Sequence, residues 1–216
     1  MFRWLNPNRA LIFRVTHIDN VPWILGNGLH CQNSCTLDHD FVQIGNPDLI
    51  KKRRERKLPV PTGGTLADYI PFYFTPFPVM MYNIKTGHGS TRHVSNAQIV
   101  IMVSSLRTLV QNGLPIVFTD RHAYLQTARF FTAPDDPGKI DREILQRRDF
   151  RRDDNDPGKM ERYQAEALVY RHLPVGQLQG IVCHSKTEQG TLEQQQQQRG
   201  EAGHQPRIVA WPGWYF

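Results

Sequence analysis

The sequence predicts an α+β fold in which strands dominate and the helices are short. Three observations carry this. Runs rich in β-branched and aromatic residues recur from one end of the chain to the other, as in ALIFRVTHI (10–18), AQIVIMVSS (97–105) and LPIVFTD (114–120). The stretches with helix-start and helix-stop residues are short. Strands and helices also do not alternate regularly, as a doubly wound parallel sheet would require.

Taken in order, 10–18 reads as a strand, with Arg14, Thr16 and His17 interleaved among apolar residues. DNVPWILGNGL follows as a short helix, with Asp19 or Asn20 at its N-cap and Gly28 as its stop. NPDLIKKRRERKLPVP (46–61) reads as a helix carrying six cations, and PTGGTL as a turn. YIPFYFTPF (69–77) is extended and interrupted by prolines. Strands follow at 97–105 and 114–120, and FTDRHAY (118–124) reads either as a functional loop or as a helix start capped by Thr119 or Asp120. The polar run 133–159 holds a short helix near KIDREILQRRDF and then the loop RRDDNDPGK. AEALVYRHLP and LQGIVCHS are strands. GTLEQQQQQRGEAGHQP begins helical and continues as a flexible, low-complexity connector, and RIVAWPGWYF is a final strand.

The 216 residues suit one domain, spanning 1–216, and 39% hydrophobic content is enough for a packed core. No apolar run reaches membrane-spanning length, and the start lacks a signal-peptide pattern, so a cytoplasmic protein is expected. Cys31 and Cys35 could seed a metal site, but no second pair follows and no metal is expected. The formal net charge of +6 favours polyanionic partners, nucleic acid above all. Phosphate-cradling glycine motifs and HExxH are absent, so a bound nucleotide would need another architecture.

Several residues could carry chemistry. Glu166 sits between Ala165 and Ala167 at the mouth of a strand. It is either a surface carboxylate or a ligand-facing acid whose small neighbours leave room for a ligand. Arg14 and Thr16 share one strand face, a cation beside a hydroxyl. One arginine of the basic helix could turn inward to a diphosphate, because the guanidinium fork meets two oxygens at once. Tyr69, Phe72, Tyr73, Phe74, Met80, Met81 and Tyr82 offer stacking surfaces or core. RRDFRRDDND (147–156) is either a self-paired surface loop or a nucleic-acid contact.

Taken together, THIDNVPWIL, IGNPDLIKKR, GGTLADYIPFYF, GLPIVFTDRHAY, RYQAEALVY and the GWYF ending resemble the DarT family of DNA ADP-ribosyltransferase toxins over nearly the whole chain. IGNP, PFYFTPF, DFRRD and ERYQAEAL are most similar to the enterobacterial-type members. The resemblance implies the ADP-ribosyltransferase fold, a split β-sandwich with NAD+ in its cleft. It implies transfer of ADP-ribose to a base of single-stranded DNA, thymidine in most members and guanine in a second branch, which blocks replication. It places the catalytic roles on Glu166 and Arg53. NAD+-binding positions fall on Arg14, Val15, Thr16, Trp23, His30, Arg53, Tyr73 and Met80. The DNA-approaching region runs from about 122 to 166, with His122, Arg147, Arg148, Arg151, Arg152 and Lys159 as contacts. A macrodomain antitoxin, DarG, is the implied partner, and a monomer is expected. One departure concerns Arg14, where other branches carry histidine; main-chain groups of that strand can still clamp the nicotinamide amide. The alternatives are an ADP-ribosyltransferase acting on RNA or protein, and a basic DNA-binding module without catalysis.

Overall fold

The computed structural model describes residues 10–132, 137–199 and 204–216. Residues 1–9, which entered the reading of the start, lie outside the described residues, as do parts of both polar connectors. The frame is an eight-stranded sheet that is nearly two sheets. One half is built on β1 (Leu11–His17) and β4 (Ile99–Ser105), antiparallel over seven register pairs from Leu11↔Ser105 to His17↔Ile99. All seven residues of β4 are buried, as its unbroken apolar run requires. The half is completed by β9 (Gly180–Cys183) against β4 and by β10 (Arg207–Ala210) parallel to β9. The other half pairs β3 (Tyr69–Tyr73) with β7 (Glu166–Tyr170), then β5 (Ile116–Thr119) and β6 (Phe130–Phe131). The halves share one register pair, Phe13↔Tyr73, so the sheet splits between β1 and β3. Arg14 reaches over the split, its Nη1 donating to the Pro71 carbonyl at 3.0 Å.

The helices are short, as expected. α1 (Val21–Asn27) follows β1 through a 3-10 turn and ends at Gly28. Gly28 has φ +79°, and a Cβ there would sit 2.4 Å from the Leu173 carbonyl oxygen, so only glycine lets the chain pass. That passage lets β2 (Leu29–His30) pair with β8 (His172–Leu173). α2 covers Pro47–Arg53 only, with Asn46 capping the Leu49 N–H and Pro47 in the first turn. The helix expected over 47–57, ending before Pro59, stops at Arg53, and Leu58 is buried beyond it. Instead the chain doubles back, with Leu58 N–H donating to the Gly64 carbonyl and Leu66 N–H to that of Arg56.

Three helices went unread in the sequence: α3 (Val79–Thr86), α4 (Leu106–Gln111) and α6 (Lys159–Tyr163). Each is short enough that periodicity gives little signal, while α5 (Arg142–Arg147) was marked by its Asp141 cap. The glutamine run is not a connector. It lies in α7 (Lys186–Gln198), begun by a Ser185/Glu188 capping box and anchored by buried Leu192. Gln189 also bonds the Ala210 N–H and the Ile208 carbonyl of β10. The final strand ends at Ala210, before Pro212, and a 3-10 turn packs Trp214 edge-on against Phe13 at 5.3 Å.

Candidate active site

The split creates the site. In the β3–β7 register Tyr73 opposes Glu166, so the last residue of one strand and the first of the other meet where the halves part. Glu166 is 1% exposed. Its N–H donates to the Thr119 hydroxyl at 3.0 Å, which fixes the start of β7 against the end of β5. From α2, Arg53 reaches inward. Its Nη1 donates to Glu166 Oε1 at 3.1 Å, and its Nη2 lies 3.0 Å from Oε2. The Ala123 N–H also donates to Oε1, at 3.2 Å. Oε2 accepts no aligned hydrogen bond among the described residues, and Arg53 Nη2 donates none. The two atoms face each other as an ion pair without hydrogen-bond alignment.

Burial works against the charged carboxylate, but the Arg53 cation, His122 and the hydrogen bonds together hold Glu166 below the ordinary range. His122 lies beside it, Nε2 3.9 Å from Oε1. Burial pulls this imidazole down, only partly opposed by Glu166, and Tyr124 N–H donates to its Nδ1, leaving the neutral ring's proton on Nε2. Burial lowers Arg14 to about 10, which keeps it charged at neutral pH, and it leaves Nε without a partner among the described residues. Burial and then Glu166 push the Tyr73 phenol above its usual range, and its hydroxyl donates to the Met80 sulfur at 3.4 Å.

These residues end a cavity of about 480 Å³, within the usual span of ligand pockets. Every expected NAD+-binding position lines it: Arg14, Val15, Thr16, Trp23, His30, Arg53, Tyr73 and Met80. Trp23 and His30 meet edge-on at 5.4 Å. His122 lines it too, so the structure moves this residue from the DNA loop to the carboxylate. Glu166 itself is not on the wall; Arg53 stands across it. The alanines beside Glu166 make no room for a ligand, as was expected of them. Both are buried in the main core cluster and wedge the strand start in place. Nor does Thr119 or Asp120 cap a helix. The Thr119 hydroxyl lies 2.6 Å from the Arg121 carbonyl, and Asp120 accepts from the Arg129 N–H.

Sequence reading missed the loop 36–46, which forms much of the cavity rim through Leu37, Phe41 and Gln43. Its anchor is Asn20, fully buried, whose amide donates to the Val42 carbonyl and to Thr16 Oγ1 and whose carbonyl accepts from the Val42 N–H at 2.8 Å. The signal was an asparagine after an apolar strand, which had been read as a helix cap. It makes no cap bond.

The arginine-rich loop is self-paired. Arg147 bonds Glu143, Arg151 bonds Asp149, and Arg152 bonds Asp154. Arg148 lies over the Phe77 ring at 3.6 Å. Lys159 is held by Asp149 and Asp153 with only 12% of its side chain exposed, so it is an internal strut rather than a free DNA contact. Among the described residues no group of three or more His, Cys, Asp or Glu is placed to hold a metal. None of the helices there is long and apolar enough to cross a membrane.

The family model for DarT, the ssDNA thymidine ADP-ribosyltransferase, matches residues 13–216. A DNA ADP-ribosyl transferase of Escherichia coli O127:H6 is 50% identical over 212 residues, 98% of this chain and 96% of that protein. One from Thermus sp. strain 2.9 is 34% identical over 97% and 98%. The solved Thermus sp. 2.9 DarT with ADP-ribosylated ssDNA superposes with a TM-score of 0.88, at 32% identity and covering 97% of this chain and 98% of that one. The same protein with NAD+ gives 0.83 at 33% identity, covering 97% and 99%. With a split sheet, a buried acid at the split and matches along the whole chain, this protein belongs to the DarT family of single-stranded-DNA thymidine ADP-ribosyltransferases.

Proposed function

We propose that this pocket transfers ADP-ribose from NAD+ to thymidine in single-stranded DNA, with Glu166 and Arg53 as its catalytic pair. The carrying observation is an ionised Glu166, buried where the sheet splits and paired with Arg53 at the end of the cavity. NAD+ fits the residues present: two partly buried cations lining the cavity, Arg14 and Arg53, suit its diphosphate, and Trp23 and Tyr73 supply aromatic faces. In the reaction the C1′–nicotinamide bond breaks with nicotinamide leaving neutral, a bond from C1′ to a thymine nitrogen forms, and the proton of that nitrogen passes to water. The transition state resembles an oxocarbenium ion.

Glu166 accepts a hydrogen bond from a ribose hydroxyl through Oε2, and the bond strengthens as positive charge grows on the sugar. Because Arg53 stands between cavity and carboxylate, it must turn aside as the sugar enters. That motion presents its guanidinium to the diphosphate or to the thymine as the proton leaves. Guanidinium is a poor base, so its part is stabilisation of developing negative charge. The Ala123 N–H keeps the carboxylate aimed while Arg53 moves.

The segment from His122 to Glu166 has both ends at the pocket, through His122 and Gln164, and is proposed to frame the incoming base. Within it Arg151 and Arg152 are exposed, but each is already paired, with Asp149 and Asp154. Family membership supports a toxin held in check by a macrodomain antitoxin. Incubation of single-stranded oligonucleotides with radiolabelled NAD+ tests the reading. Glu166→Ala and Arg53→Ala should each abolish labelling while the protein stays folded, and duplex should label poorly. Undiminished labelling in either variant removes that residue from the mechanism.

A further inference from the structure

The positive charge of this protein is unevenly used. Between 141 and 162 there are seven basic and seven acidic residues, so the arginine-rich loop has no net charge. Most of its ion pairs are made inside the segment, among them Arg162 with both Asp141 and Asp156, while Glu161 turns outward to Arg121. Such a loop can orient a phosphate at short range but cannot attract a polyanion from a distance. From 47 to 57, by contrast, six basic residues face two acidic ones. Arg53 is spent on Glu166, and Arg56 on Gln126 and the Leu125 carbonyl. Asp48 is turned to Ser90. Lys51, Lys52, Arg54 and Lys57 are all exposed, and none makes an ion pair among the described residues. A helix C-terminus favours one or two cations in its last turn. That accounts for Lys51 and Lys52, but not for Arg54 and Lys57, which lie beyond the helix end.

This patch is continuous with the cavity, because Leu49, Ile50, Arg53 and Arg54 of the same segment line it. We infer that the exposed face of 51–57 is the surface that captures single-stranded DNA by its phosphates, and that the arginine-rich loop is not. The inference rests on the proposed transfer to single-stranded DNA. Capture at the end of the helix that carries Arg53 would deliver the acceptor strand beside the residue that must release Glu166.

The test is the salt dependence of binding to a fluorescein-labelled single-stranded oligonucleotide. Each phosphate contact on a single strand adds about 0.7 to the log–log slope. Lys51→Gln/Lys52→Gln/Lys57→Gln should therefore flatten the slope by about 2, with NAD+ affinity and melting temperature unchanged. A scattered triple variant of equal charge change, Arg129→Gln/Lys186→Gln/Arg207→Gln, should leave the slope near wild type. So should the charge-neutral loop variant Asp149→Asn/Arg151→Gln/Arg152→Gln/Asp154→Asn. An unchanged slope in the first variant overturns the inference, as does equal flattening in the scattered variant or flattening in the loop variant. Wild-type protein that neither binds nor labels single strands would instead sink the proposed function itself.

Discussion

At Glu166 one side chain answers to two demands. In the proposed transfer it must be ionised to stabilise a cationic sugar, and it must be dry for that stabilisation to be large. Burial alone would neutralise it; Arg53 at 3.0–3.1 Å and the Ala123 N–H at 3.2 Å keep it charged. The side chains of this pair are only 11% and 2% exposed, so removing one partner strands a buried charge. Arg53→Ala should cost about 3 kcal/mol or more of stability at neutral pH. The sign of its pH dependence follows from the lowered carboxyl. A depressed folded-state pKa contributes stability above the unfolded value and loses it as pH falls through the folded value. Without Arg53 that depression shrinks, so acid unfolding of Arg53→Ala should begin at higher pH than in wild type. Circular dichroism against pH reads this. Coincident acid midpoints would show that Arg53 does not set the charge of Glu166.

Among the elements, the loop 36–46 depends on a residue outside it. Asn20, itself fully buried, holds Val42 by both backbone groups and Thr16 by its hydroxyl. Asn20→Ala leaves the Val42 N–H without its acceptor and the Val42 carbonyl without its donor, and should cost about 2 kcal/mol. Since Thr16, Val42 and Gln43 line the cavity, the same variant should raise the KM for NAD+ more than it lowers kcat. Steady-state labelling at varied NAD+ measures the split, and an unaltered KM would detach this loop from nucleotide binding. The helix α2 shows why element boundaries escape a sequence reading. Asn46-Pro47 announced its start, but its end was set by the burial of Leu58 and by bonds to Gly64 and Thr65. The glutamine run shows the converse. Its composition suggests disorder, yet a capping box, Leu192 and the bonds from Gln189 to β10 hold it helical.

For the whole molecule the decisive feature is a sheet that nearly comes apart. Among the described residues β1 and β3 share one register pair, Arg14 bonds across to Pro71, and the proposed catalytic pair sits in the gap. Arg14→Leu removes the bond to Pro71 and a cation facing Arg53 and Glu166. It should lower the melting temperature by about 2–4 °C for each kcal/mol lost and weaken NAD+ binding, both readable by thermal shift with and without NAD+. A variant with wild-type NAD+ stabilisation would confine Arg14 to a structural role. The sequence by itself determined the strand-rich fold, Glu166 at a strand start, and a basic segment supplying one inward arginine. Strand alternation, caps and charge runs are local, and the resemblance in six separated motifs is linear. Only the tertiary structure decided which residues meet. It set His122 beside Glu166, drew Asn20 to the cavity rim, put Arg53 across the carboxylate, and cancelled the loop arginines against their own aspartates. Those outcomes depend on contacts between residues up to 113 positions apart, and on which charges find partners when the chain closes. Neither propensity nor periodicity encodes such distances.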